Sequence, residues 1–141
     1  MIILDTDHIS LLQSGGEPAE RINRRLCVLG LDGSFPTSII TYEEQMRGWM
    51  QRFAESKTVA DDIRLYQRLH AQIRFFSTLT IFDFTALAAT EFQRLRGLRV
   101  RVGTMDLRIA AIALANHATI WTRNLVDFRK VPGLQSEDAT L

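Results

Sequence analysis

The stretch MIILDTDHIS, residues 1–10, opens with four apolar side chains and then sets Asp5 and Asp7 on either side of Thr6. A short, uninterrupted apolar run of this kind reads as a buried β-strand over residues 1–5. Two carboxylates at the end of a buried strand repel one another where water is scarce, so the sequence has to supply something that offsets them.

Moving outward, the chain alternates between strand-like and helix-like segments. A helical stretch from about Asp7 to Leu12 ends at the breaker Gly15-Gly16, and residues 18–29 form a second helix with Ile22, Leu26 and Leu29 on one face. LDGS (31–34) is a turn, and FPTSII (35–40) is a second strand. TYEEQMRGWMQRF (41–53) carries Tyr42, Met46, Trp49, Met50 and Phe53 at helical spacing. Residues 58–75 repeat that pattern through Val59, Ile63, Tyr66, Leu69 and Ile73, with Asp61 and Asp62 as solvated charges. TLTIF (78–82) is a third strand, and a helix from about Thr85 to Arg96 follows it. TMDLRIAAIALANHA (104–118) is so apolar that it must be buried on several sides, and TIWT (119–122) is a fourth strand. Strands separated by helices, with links too long for hairpins, predict an α/β sandwich around a mostly parallel sheet.

Composition narrows the function. A chain of 141 residues suits one compact domain, 1–141, and 46% hydrophobic with 23% charged residues is ordinary for a globular protein. No apolar run approaches the ~20 residues of a membrane helix, and Asp5 interrupts the first one too early for a secretory signal, so a cytoplasmic protein without a membrane partner is expected. Cys27 is the single cysteine, which excludes a disulfide framework; its neighbours suggest a half-buried thiol. The cations are 15 Arg against Lys57 and Lys130, a bias that suits phosphate contacts but that coding preference also produces.

Sites in open parallel sheets gather beyond the carboxyl ends of the strands. Asp5 ends the first strand, Glu44 lies in the first turn of the helix after the second, Asp106 opens the buried helix, and Asp127 follows the fourth strand. Acids this far apart in sequence can converge on one edge. Mg²⁺, or Mn²⁺ in its place, turns their mutual repulsion into attraction, because hard cations prefer oxygen ligands and retained water.

Each acid also has a plainer explanation. Asp5 or, in better register, Asp7 could cap the first helix. TYEE reads as a capping box, with Thr41 as N-cap and Glu44 reaching back. Asp106 could complement a helix dipole behind a Thr104 cap, and Asp83 reads as a cap and nothing more. His8, His70 and His117 have no metal-ligand spacing, His8 being given a peripheral hydrogen-bonding role; Ser10 and Ser38 have no paired base.

Four segments in order, ILDTDHIS, SIITYEEQMRG, GTMDLRIAAIALAN and TRNLVDFRKVPGL, resemble a PIN domain of the VapC toxin family from Ile3 to Leu134. The resemblance implies a PIN-like three-layer sandwich and a Mg²⁺-dependent endoribonuclease toxin of a toxin–antitoxin system. It implies that Asp5, Glu44 and Asp106 are the acidic triad, with Asp127 as the fourth acid where Asn124 is neutral. Thr6, Asp7, Thr122 and Asn124 are supporting residues, and Asp7 stands where many relatives have Asn. Candidate RNA contacts are Arg47, Arg99, Arg101, Arg123 and Arg129, with Lys130. A VapB-like antitoxin docking near Trp49, Met50 and Phe53, and a homodimer, are the implied partners. Two alternatives remain: a haloacid dehalogenase-like phosphatase, since DTDHI fits Asp-x-Asp after a strand, and a PIN-fold RNA-binding or interaction module without catalysis.

Overall fold

The computed structural model describes residues 1–141. The first strand, β1 (Ile2–Leu4), alternates its side chains between two faces: Ile3 enters one core and Leu4 the other, both with no accessible surface. The others are as short: β2 (Pro36–Ser38), β3 (Thr80–Phe82), β4 (Thr119–Trp121) and β5 (Ser136–Glu137). Every neighbouring pair is parallel, in the order β3-β2-β1-β4-β5. Leu4 lies opposite Thr37 on one side and Trp121 on the other.

That order puts β1 at the centre. The chain adds β2 and β3 on one side, then returns to place β4 and β5 on the other, so the direction of winding reverses between β1 and β4. At such a reversal the flanking connections part beyond the strand ends and leave a crevice.

Seven helices cover the sheet: α1 (Thr6–Ser14), α2 (Glu17–Val28), α3 (Ile39–Glu55), α4 (Val59–Ser77), α5 (Ala86–Gly97), α6 (Thr104–Ala115) and α7 (Leu125–Phe128). On one face Ile3 and Ile120 pack with Phe92 and Leu95 of α5 and Ile109 and Ile112 of α6. On the other, Leu4 and Trp121 pack with Ile9 of α1, Ile22 and Leu26 of α2 and Phe76 of α4. The α1–α2 break falls at Gly15 (φ 76°) and Gly16 (φ 87°), left-handed angles that glycine adopts without strain. The apolar helix α6 is buried as its sequence demands, with residues 109–113 fully enclosed.

The expected α/β class and PIN-like layering hold, with a sheet that is parallel throughout. Four local expectations are corrected. A fifth strand, β5, and the single-turn α7 carry too few residues to show a period. The stripe Val59, Ile63, Tyr66 and Ile73 is 55–75% exposed, and α4 instead buries Gln72 and Phe76. Helical spacing reports an apolar face without saying whether anything covers it, and α4 packs mainly on one helix, α3. Cys27 is exposed, because the buried face of α2 is Ala19, Ile22 and Leu26. Phe53 is half-buried against Tyr66 with ring centroids 4.7 Å apart, so it serves the α3–α4 contact.

Leu4→Ala empties a fully enclosed site at the sheet centre. It is expected to destabilise the fold by about 2–5 kcal/mol, read as a lower urea midpoint at unchanged slope.

Candidate active site

Asp5 leaves β1 in extended conformation and becomes the N-cap of α1, its Oδ1 accepting the Thr6 amide at 2.7 Å. Asp5, and not Asp7, is therefore the cap. Its own amide donates to the Trp121 carbonyl at 2.9 Å, which extends the β1–β4 pairing by one residue. The second oxygen, Oδ2, accepts the Thr122 hydroxyl at 2.8 Å. Thr122 is fully buried and is the first residue beyond β4, so the two strand ends at the reversal are joined through side chains.

The same hydroxyl lies 3.2 Å from Oδ2 of Asp7, which also accepts the Arg123 amide at 2.9 Å. The other Asp7 oxygen meets His8 Nδ1 at 2.8 Å. His8 is fully enclosed, and its Nε2 accepts the Ala139 amide at 3.1 Å, which places the ring proton on Nδ1, facing Asp7. The expected hydrogen-bonding role of His8 is found, but at the centre of the protein. Nothing in the spacing around His8 marks it, because its partner amide is 131 residues away.

Glu44 arrives on α3. That helix begins at Ile39 with Ser38 as N-cap, whose hydroxyl accepts the Thr41 amide at 3.3 Å, so the expected capping box is absent. Thr41 and Glu44 are freed for another contact. Thr6 donates its hydroxyl to Glu44 Oε1 at 2.9 Å, and with that proton committed, the 3.0 Å contact to Thr41 Oγ1 requires Thr41 to donate. Asp106 sits in the first turn of α6, behind Gly103 as N-cap; Thr104 is the first helical residue and no cap. Asp83 is exposed and does not cap α5 either, since Thr85 takes that place.

Asp127 stands apart. Its oxygens accept from Asn124 Nδ2 and Lys130 Nζ, both at 3.1 Å, and its side chain is 35% accessible. Those donors hold its pKa below the usual value, the Asn124 hydrogen bond most strongly. The three inner acids move the other way. Burial, followed by the Asp7 charge, pushes Asp5 up to about 7. Burial also raises Glu44, and the Asp106 charge adds to it while the Thr6 hydrogen bond opposes. Asp106 is raised by burial and then by Asp127 and Asp7. For Asp7, burial acts upward, but the His8 and Arg123 hydrogen bonds outweigh it and keep the group low.

Asp5, Asp7, Glu44, Asp106 and Asp127 thus share one electrostatic neighbourhood at the crevice. Helices α1 and α6 place their first turns there, whereas α3, starting at Ile39, brings Glu44 from its second turn and not from the expected first; the N-termini of α1 and α6 offset part of the negative charge. The remainder fits a hard divalent cation. No three His, Cys, Asp or Glu side chains are gathered tightly enough to ligate one ion together. Arg47, Arg99, Arg101, Arg123 and Arg129 are all exposed; Arg47 is paired with Glu43 at 2.7 Å.

A parallel sheet in the order 3-2-1-4-5, with carboxylates collected where its winding reverses, is a PIN-like α/β fold. No family model matches the chain. It is similar to Ribonuclease VapC2 of Rickettsia felis, 37% identical over 70 residues, which cover 45% of this chain and 51% of that protein. The match therefore spans about half the length of the curated relative. Among solved structures, VapBC from Salmonella typhimurium bound to DNA superposes with a TM-score of 0.71 at 27% identity over 99% of both chains. VapBC2 from Rickettsia felis, bound to a promoter DNA fragment, gives 0.67 at 26% over 98% of both. VapBC-1 from nontypeable Haemophilus influenzae gives 0.77 at 24% over the whole of both chains, a likeness of fold. The chain thus shares the fold of these VapBC chains and is similar in sequence to a VapC ribonuclease over about half of its length.

The raised Asp5 pKa makes stability depend on pH. Folded Asp5 holds its proton up to about pH 7, whereas the unfolded chain releases it near 3.8, so the folded state binds more protons between these limits. Its contribution to stability is full below pH 3.8 and is lost as pH rises to 7, on the order of 4 kcal/mol across the window. In EDTA the melting temperature is expected to fall from pH 5 to pH 8, measured by circular dichroism. Asp5→Asn should flatten that slope, and saturating Mg²⁺ should restore stability at pH 8 by binding the ionised form.

Proposed function

We propose that this protein is a Mg²⁺-dependent endoribonuclease of the VapC toxin type, with Mn²⁺ able to substitute. The observation that carries this reading is Asp5, buried at the winding reversal with its pKa raised to about 7 and acids from α1, α3 and α6 around it. Such a cluster is an energetic burden unless a cation uses it.

Asp5, Glu44 and Asp106 hold the cation, directly or through water, and Asp127 joins from the exposed side with Asn124 steadying it. When bound, the ion neutralises the carboxylates and supplies a water of lowered pKa for in-line attack on an RNA phosphodiester. Thr122 and the Thr6 amide fix the Asp5 carboxylate, while the Thr41–Thr6 hydroxyl relay fixes that of Glu44. Asp7 positions Thr122 and needs no ligand role. No side chain is poised as a nucleophile, since the Ser38 hydroxyl caps α3 and Ser10 accepts from Gln45. Arg47, Arg99, Arg101, Arg123 and Arg129, with Lys130, are the cations available to hold RNA around the acids.

The phosphatase alternative needs the second acid of DTDHI free to move protons, yet all of its contacts are taken by His8, Thr122 and Arg123. A module without catalysis would have no use for the buried acid set. The similar VapBC structures support a VapB-type antitoxin as partner, and the exposed Val59, Ile63, Tyr66 and Ile73 face of α4 supports a homodimer.

Purified protein is expected to cleave structured RNA with Mg²⁺ and not with EDTA. Asp5→Asn, Glu44→Gln and Asp106→Asn should each lower the rate by at least about a hundredfold while keeping the wild-type circular dichroism spectrum. Asp127→Asn should cost less than any of these. For the homodimer, Ile63→Asp with Ile73→Glu should shift the sedimentation coefficient from dimer to monomer without unfolding the chain.

A further inference from the structure

Next to the carboxylates, a groove of about 560 Å³ runs between α1, α3 and α4. One wall starts at Gln45, the residue after Glu44, and continues along α3 through Gly48, Trp49 and Arg52. Gln13 of α1 and Arg68 and Gln72 of α4 complete it, and no acidic side chain lines it.

Four of its features stand out. The guanidinium of exposed Arg52 lies 4.6 Å over the ring of half-buried Trp49, a flat pair at the groove wall. Neither Arg52 nor Arg68 enters any of the ion pairs that occupy Arg21, Arg24, Arg25, Arg47, Arg64 and Arg94. Gln13 donates to Gln45 at 3.0 Å and to Gln72 at 3.1 Å, and Gln72 donates to Gln45, so three side-chain amides are preordered on the groove floor. Gly48 sits inside α3 with helical geometry, yet a Cβ there would meet nothing within 4 Å. Glycine is the least favourable ordinary residue inside a helix, and neither packing nor backbone asks for it here. What it provides is open space.

The geometry points to this groove as the seat of single-stranded RNA on one side of the cleaved phosphodiester. A base stacks on the Trp49–Arg52 pair, Arg68 meets a phosphate, the glutamine amides face a base edge, and Gly48 lets the strand approach α3. Unstacked bases are recognised in this way, by aromatic and guanidinium planes and by hydrogen bonds to their edges. Arg52 and Arg68 also border a neighbouring pocket with Glu55 and Asp61, yet neither is ion-paired, and the groove they line with Trp49 holds no carboxylate, which favours a polyanion over a peptide segment. The groove also starts one residue from Glu44, where a strand leaving the acids would enter it. This assignment rests on the ribonuclease reading above.

The test uses the full chain and a short fluorescein-labelled single-stranded RNA of mixed sequence. Fluorescence anisotropy in EDTA reads binding without cleavage, and cleavage of the same RNA in Mg²⁺ is followed separately. Trp49→Ala is expected to weaken binding by roughly 5- to 100-fold. Arg68→Gln should reduce the slope of log affinity against log salt by about 0.7. Gly48→Gln fills the open space without touching the core; it should weaken binding while leaving the melting temperature no lower than wild type. If the wild type cleaves RNA and all three variants bind and cleave as it does, the groove assignment is overturned and the ribonuclease reading stands. If the wild type neither binds nor cleaves, both fall. If the variants keep RNA binding but lose a co-expressed antitoxin, the groove belongs to a protein partner and the assignment is overturned.

Discussion

Thr122 carries one hydroxyl proton, and two carboxylates compete for it. Asp5 and Asp7 both reach the same oxygen, at 2.8 and 3.2 Å, and that oxygen also accepts the Asn124 amide. The strand pair β1–β4 ends on this arrangement. It separates the two acids chemically: Asp7 has His8 and Arg123 as further donors and stays low, while Asp5 lies deeper and is pushed up to about 7. Acids in unequal surroundings take unequal protonation states, and unequal states permit unequal roles.

The rest of the architecture accommodates that charge. Reversal of winding between β1 and β4 opens the crevice, and α1, α3 and α6 each bring an acid to it from their N-terminal halves. Threonine hydroxyls at positions 6, 41 and 122 supply neutral donors, which orient carboxylates without cancelling them. A lysine or arginine at these places would have cancelled that negative field. Lys130, the lysine in the neighbourhood, is bound to Asp127 on the exposed side.

The sequence declared the parallel α/β sheet through its short apolar runs and long connections, and the acids through their places at strand ends. What it hid has physical causes. Strand β5 and helix α7 are shorter than any repeat that side-chain patterning can reveal. The α4 stripe was visible but its orientation was not, because exposed and buried apolar faces share one periodicity. The Thr41–Glu44 spacing matched a capping box, and only the start of α3 three residues earlier, at Ser38, redirected both side chains to Thr6. His8 could not be placed at all, since its function depends on an amide in the last strand region. The groove arginines, Arg52 and Arg68, were hidden on helices read for their apolar positions.

The distance in sequence between Asp5 and Thr122, 117 residues, bears on how the protein is made. Synthesis delivers β1 early, yet its partner β4 emerges only after β2, β3 and six helices have been produced. Until then the central strand lacks one edge, the Asp5 carboxylate lacks its hydroxyl, and the crevice has only one side. A chain still growing on the ribosome therefore carries the acids without the pocket. The crevice closes only when the last third of the chain has left the ribosome, so whatever chemistry the acids perform begins after synthesis is nearly complete.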